Sequence, residues 1–194
     1  EKIVDSLLAQ SLIYSKKGED QPLFGLFSCV RTFVAEKASD PELQSAYLRH
    51  ATHYAERMLA EENMSPYYRF AEVRARSLSD LMVAVGRCRS HRWNGLAARC
   101  ALIAAEVLLD QGPYARGLNL LRPLSRLKAV GDWEKGMIQY MLGRYSRHMG
   151  RASQSRGQLR NAVQFFEVVG DARAMQDAWV ELAYTATDLG DNSM

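Results

Sequence analysis

The chain has 194 residues, 47% of them hydrophobic and 24% charged, which is ordinary for a protein that buries a core of its own. A net charge of +3 is too small to imply a nucleic-acid partner by itself. No stretch approaches the roughly 18 uncharged apolar residues of a membrane span, since the best candidate, Cys100–Leu109, is short and interrupted by Glu106. Three cysteines, Cys29, Cys88 and Cys100, without a pairing pattern suggest free thiols in a reducing compartment, and a cytoplasmic location is expected. The chain opens on Glu1 rather than a methionine, so an upstream segment is expected.

Residues 3–10 carry Ile3, Val4, Leu7 and Leu8 on one helical face. Ser11–Ser15 is short and β-prone, Lys16–Pro22 is turn-rich, and Leu23–Leu26 can pair back as a hairpin with Lys16 and Lys17 at its tip. Phe27–Lys37 is helical again, with Val30, Phe33 and Val34 on one side. A helix, a two-stranded wing and a second helix form the tail of a winged-helix domain, placed at residues 1–40. A connecting helix follows within 41–64, turning Leu43, Ala46, Tyr47, Tyr54, Met58 and Leu59 inward. Asn63-Met-Ser-Pro66 is the clearest break in the chain and marks the boundary to a repeat region, 65–194. A helix is expected from around Tyr67 through Val85.

From Asn94 onward glycine recurs at a nearly constant step. Gly112, Gly131, Gly150, Gly170 and Gly190 are separated by about 19, 19, 20 and 20 residues. Gly131, Gly170 and Gly190 are each followed by aspartate, and each pair reads as a helix stop joined to a helix start. Gly112 and Gly150 lead into Pro113 and Arg151, and a proline just inside a helix start fits the same pattern. Helices are therefore expected at 95–111, 113–130, 132–149, 151–169 and 171–189, with a kink at Pro123. Their inward sets are Leu96, Cys100, Ile103, Val107 and Leu108; Leu118, Leu121, Leu124 and Leu127; Trp133, Met137, Tyr140 and Met141; Leu159, Ala162, Val163 and Phe166; and Met175, Trp179, Leu182, Ala183 and Ala186. The predicted fold class is all-α: an antiparallel array of helical hairpins, a solenoid, behind the winged-helix tail. Trp179-Val-Glu-Leu-Ala183 and Gln139-Tyr-Met-Leu-Gly143 echo the tetratricopeptide W-x2-L-G, although the period of about 38–40 exceeds the standard 34. The repeats are TPR-like rather than consensus.

The first third of the chain also carries a resemblance. Val4-Asp-Ser-Leu-Leu-Ala-Gln-Ser-Leu-Ile13 resembles the L-x-x-L-V-D-K-S-L-L run of STAND-class, NB-ARC-type signal-transducing ATPase regulators of bacteria. Phe24–Glu36 is similar to the F-R-x-L-E-T-V-R-E-Y-A-x-E that follows it there, with Leu26, Val30, Arg31, Phe33, Ala35 and Glu36 in register and Ser28-Cys29 in place of Glu-Thr. Arg49-His-Ala-Thr-His-Tyr-Ala55 is similar to that family's R-x-H-A-x-Y-x-x-x-A helix. The resemblance implies an ATPase module, with its ATP, upstream of the winged helix and in contact with it. It also implies a helical-repeat sensor that controls the switch, in a signal-transducing transcriptional regulator.

No G-x-x-x-x-G-K-[ST] loop occurs, so no cofactor is expected within this chain. His50-x-x-His53 and Cys88-x-x-His91 have metal-compatible spacing but no third ligand in sequence, and no nucleophile and base occur with an orienting acid. The expected function is accordingly non-catalytic: binding of a protein, peptide or small inducer on the repeat surface. Trp133, Tyr140, Arg144, Arg147 and Trp179, on the first helices of their hairpins, and Arg151 beside them are the expected contact surface. Arg69, Arg74, Arg76, Arg87, Arg89, Arg92 and Arg99 outnumber Glu72 and Asp80 around them, and Arg74, Arg76, Arg87, Arg89 and Arg92 form the expected basic patch. Arg144, Arg147, Arg151, Arg156 and Arg160 form a second run with no acid among them. Direct nucleic-acid binding by these arginines is the alternative expectation.

Overall fold

The computed structural model describes residues 2–16, 23–59 and 78–190. Lys17, the break at Asn63–Pro66, Arg69, and Arg74 and Arg76 of the expected basic patch lie outside them. The described residues are mainly helical, with one small two-stranded sheet. They divide into two compact units, Glu1–Ala46 and Tyr47–Met194.

In the first unit, α1 (Lys2–Ala9) leads into β1 (Ile13–Lys16), which pairs antiparallel with β2 (Leu23–Leu26) in a register that sets Ile13 opposite Leu26. Helix α2 (Ser28–Lys37) follows. The expected helix, hairpin, helix order is present. Ile13 is buried, whereas neither helix buries a residue. The apolar side of α2 is open, with Phe33 59% exposed. Helix α3 (Asp40–Leu59) begins at a capping box. Ser39 supplies both its backbone N–H and its hydroxyl to Glu42 Oε2, at 2.9 and 2.7 Å, so the side chain three residues on satisfies the helix entrance. Those two bonds hold the Glu42 carboxyl below its ordinary value.

The second unit is built around α5 (Asn94–Gln111). Ala97, Ala98 and every residue from Cys100 to Leu109 are buried. A helix that is apolar all round belongs in a core rather than on its edge, so the one-sided set expected for this segment understates its burial. Helix α4 (Leu78–Ser90) packs on α5, and α5 on α6 (Tyr114–Leu124). Helices α7 (Asp132–His148), α8 (Ala152–Val169) and α9 (Ala172–Asp188) follow, each against the one before, and α7 also packs against α5 and α6 and touches α9.

Glycine sets the joints. Gly112, Gly150, Gly170 and Gly190 all have positive φ, the conformation glycine adopts at least cost. After Gly170, Asp171 caps α9 by accepting the Ala174 N–H at 2.9 Å. Gly131 departs from the expected pattern. Its φ is −63°, and it stands at the entrance of α7 rather than at a helix end. The preceding helix has already stopped at Leu124 instead of reaching 130. Pro123 has no N–H to donate; past it Ser125 closes the last helical bond onto Leu121, and Leu127 makes a tighter turn onto Leu124. The helix therefore stops one residue past Pro123 instead of running on with a kink.

Glycine also sets close approach. A Cβ on Gly143 would lie 2.6 Å from Leu159 Cγ, and one on Gly136 would lie 2.7 Å from the Phe166 ring. Both contacts join α7 to α8. The small residue expected in the Leu142-Gly143 echo is therefore there because the helices meet at that point.

Candidate functional site

The polar interior of the second unit is a chain of ion pairs running through α5, α7 and α9. Glu106 is fully buried in α5, and Arg144 Nη1 donates to its two carboxylate oxygens at 3.0 and 2.8 Å. Arg144 Nε stands 3.5 Å from Glu181 Oε1 of α9. Arg147, one helical turn further, donates from Nε to Glu181 Oε2 at 3.1 Å and approaches Asp188 at 3.9 Å. Burial alone would lower the Arg144 pKa, but Glu106, Tyr140 and Glu181 together hold it above the ordinary guanidinium value. The arginine thus stays charged inside the protein, as its carboxylate partners require.

Further bonds tie the same helices. Trp133 Nε1 donates to Asp171 Oδ2 at 3.0 Å, and Arg99 donates to Glu134 at 2.7 Å. Tyr145 passes over Gly117 and donates its hydroxyl to the Ala105 carbonyl at 2.6 Å, which links α5, α6 and α7. Burial raises the pKa of both Tyr140 and Tyr145, so both remain neutral phenols.

These contacts redistribute the expected contact surface. Tyr140 and Arg144 are buried, and neither is presented to a ligand. Tyr140 was expected both inward and at the contact surface, and it fills the core; the expectation for Arg144 is corrected, since it neutralises Glu106. Trp133 is half-buried and bonded to Asp171. Trp179 was expected both inward and at the contact surface; it is 52% exposed, and Ala183 also faces outward. The inward stripe of α9 is Ala174, Ala178, Glu181, Leu182, Thr185 and Ala186, which leaves Trp179 rotated away from it. Arg147 remains partly exposed with its guanidinium over the Tyr184 ring at 5.3 Å, and Arg151 is exposed at the entrance of α8. Trp179 and Tyr184 are five residues apart on one helix, so they project about 140° apart and do not share a flank. The six residues therefore do not form one surface. Arg147 instead groups with Tyr184 and Asp188, a grouping that sequence spacing missed because Tyr184 carries no motif.

The basic runs are also partly neutralised. Arg87 lies over the Tyr47 ring at 4.0 Å, while Arg89 and Arg92 are exposed. In the second run, Arg144 and Arg147 meet carboxylates contributed by α5 and α9.

The histidine and cysteine spacings resolve into packing. His50 and His53 both set their rings edge-on to Tyr54, at 5.2 and 5.4 Å. His50 Nδ1 is buried without a hydrogen-bond partner among the described residues. Burial, and then Arg87, lowers the His50 pKa. Cys88 and Cys100 are both buried, and their mutual influence lowers the Cys88 pKa and raises that of Cys100. Cys100 Sγ also reaches the Ala51 carbonyl at 3.6 Å, joining α3 to α5. His91 stacks on Trp93 at 4.7 Å instead of turning toward Cys88 as a co-ligand. Among the described residues no group of three or more His, Cys, Asp and Glu side chains could hold a metal ion, and no helix is long and apolar enough to cross a membrane.

The class defined by these features is a mainly helical protein with a small antiparallel sheet and a core of sequentially packed helices. No protein-family model, curated protein or solved structure matches the chain.

Proposed function

We propose that the chain is a non-catalytic binding and sensor region: the end of a winged helix followed by a TPR-like solenoid, belonging to a STAND-type ATP-dependent regulator. One recurrence supports the repeat reading. Bonds between α5 and α7, and between α7 and the entrance of α9, span the same 38 residues, in Arg144 to Glu106 and in Trp133 to Asp171. Equivalent helices thus meet once per repeat, which is how a stacked array builds a continuous surface. The ATPase module in cis, and its ATP, follow from the resemblance of residues 4–55 alone. Binding of a protein, peptide or small inducer on the repeats shifts the balance between a form closed on that module and an open one. Within the repeats, Arg147, Tyr184 and Asp188 offer an aromatic face beside charges of both signs, which suits a zwitterionic or peptide ligand.

The test is a thermal-shift screen of the purified chain against amino acids, short peptides, sugars and nucleosides. A binder raises the unfolding midpoint by mass action, and Tyr184→Ala or Arg147→Ala abolishes the rise. ATP hydrolysis by the purified chain would contradict this reading. A salt-dependent shift of a DNA or RNA probe would favour the basic-scaffold alternative instead.

A further inference from the structure

Helix α6 and the turn after it carry cations that no described carboxylate neutralises. The stretch between Asp110 and Asp132 holds Arg116, Arg122, Arg126 and Lys128 and no acid at all. All four are exposed, and none has a carboxylate within 4.0 Å among the described residues. The acids that bracket the stretch are engaged elsewhere. Asp132 pairs with Lys135 at 2.8 Å, and Asp110 acts on Tyr145 and His148. The arginine run on α7 is the contrast, since Arg144 and Arg147 both meet Glu181.

The helix itself organises this face. Its buried residues, Gly117, Leu118, Leu120, Leu121 and Leu124, take up one side, against α5 and α7. At about 100° per residue the other side is an arc of about 120°, with Arg116 and Arg122 at its two edges and Ala115 and Asn119 between them. The two arginines are about 9 Å apart along the axis. Two long cationic arms thus flank a low floor, and Arg126 and Lys128 carry the positive charge past the helix end.

Charge and shape decide the occupant. A guanidinium takes a carboxylate or a phosphate side-on through two N–H groups. No large apolar side chain from Gly112 to Gly131 is exposed, so the face offers a bilayer no anchor. Tyr114, the one ring in that stretch, is half-buried against Tyr145 and His148, so no ring is presented to an unstacked base. The 11-residue helix is about 16 Å long, the span of roughly five residues of extended peptide. A duplex would run beyond it onto a chain whose charges nearly balance, 25 cations against 22 acids, whereas a short segment would not.

We infer that the outer face of α6 docks an acidic segment of a partner protein, with its carboxylates on Arg116 and Arg122 and its approach steered by Arg126 and Lys128. This face shares no residue with Arg147, Tyr184 and Asp188, so it is a second binding place. Exposed charges contribute steering and a moderate affinity that salt weakens.

The test is fluorescence anisotropy of a labelled polyglutamate peptide with the purified chain, from low salt upward. Saturable binding that weakens as salt rises is expected. Arg116→Glu with Arg122→Glu weakens it at least about tenfold and lets a polylysine peptide bind instead, a gain that a misfolded variant would not give. Arg160→Glu with Arg173→Glu makes the same change in net charge at exposed positions elsewhere and leaves polyglutamate binding within about twofold. Absence of saturable binding, indifference to the Arg116 and Arg122 reversal, or an equal loss in the Arg160 and Arg173 variant overturns the inference. So does tighter binding of a DNA duplex or of phosphatidylserine vesicles through the same two arginines, which would assign the face to nucleic acid or to a membrane. The Arg116 and Arg122 reversal leaves the thermal-shift response of Arg147 and Tyr184 to small ligands in place, so the two proposals can fail separately.

Discussion

Arg144 reaches back 38 residues to place one nitrogen against both oxygens of Glu106, and the pair is sealed inside the second unit. Neither charge has water to fall back on, so each depends on the other. Glu106→Ala or Arg144→Ala alone is expected to cost about 3–5 kcal/mol, because the partner is left charged and buried. The double replacement Glu106→Leu with Arg144→Met should recover most of that loss. Urea denaturation of the four proteins measures it, and single variants within about 0.5 kcal/mol of wild type would mean that water reaches the pair.

Two glycines on neighbouring helices should respond in opposite directions. Gly143→Ala drives a methyl into Leu159, a buried side chain with no room to retreat, and should destabilise by about 1–3 kcal/mol despite the better helix former. Gly157→Ala, inside α8, meets nothing within 4 Å and should stabilise by about 0.5–1 kcal/mol. Thermal midpoints of the two variants decide the matter, and a stabilising Gly143→Ala would show that α7 and α8 are further apart than described.

Stability should fall on the acid side of neutrality. His50 and His148 both have pKa values lowered from 6.5, first by burial and then by nearby arginines, Arg87 for His50 and Arg147 with Arg144 for His148. Above 6.5 both are neutral folded or unfolded, so stability there is complete. As pH drops below 6.5 the unfolded chain takes up protons that the folded chain refuses, and stability is lost until the folded-state values are passed. Denaturation midpoints measured from pH 7.5 downward should show this slope. The double variant His50→Gln, His148→Gln should flatten it, and an unchanged slope would assign it to carboxylates.

Thiol reactivity should be divided. Cys29 is exposed, while Cys88 and Cys100 are buried against each other. Of the three cysteines one should react at once with an aromatic disulfide reagent, and the others only when the chain unfolds. Rapid titration of all three in buffer would mean that α4 and α5 separate readily.

Asp171 makes two bonds with one carboxylate, capping Ala174 and accepting from Trp133. Asp171→Ala should therefore cost more than the usual cap of about 1 kcal/mol, and Asp171→Asn should restore part of it. Chemical denaturation of the two variants measures this, and an Asp171→Asn variant as stable as wild type would remove the indole bond from the account.

The sequence by itself carried the local order. Helix, hairpin and helix at the start, and helix ends at Gly112, Gly150, Gly170 and Gly190, follow from periodicity, capping chemistry and the freedom of glycine at positive φ, all of which act within a few residues. The even spacing of the glycines was legible too, and the bond from Arg144 to Glu106 spans 38 residues. The fate of each side chain was not legible. Glu106 was visible only as a break in an apolar run, and Arg144 only as part of a basic one; their meeting depends on α7 lying against α5. Trp179 looked like core because tryptophan usually is, but which face of α9 turns inward is decided by α7 and α8 packing on Ala174, Ala178 and Leu182. A charge or an aromatic ring takes its role from whatever stands across from it. That neighbour comes from tens of residues away, and only the tertiary structure brings it there.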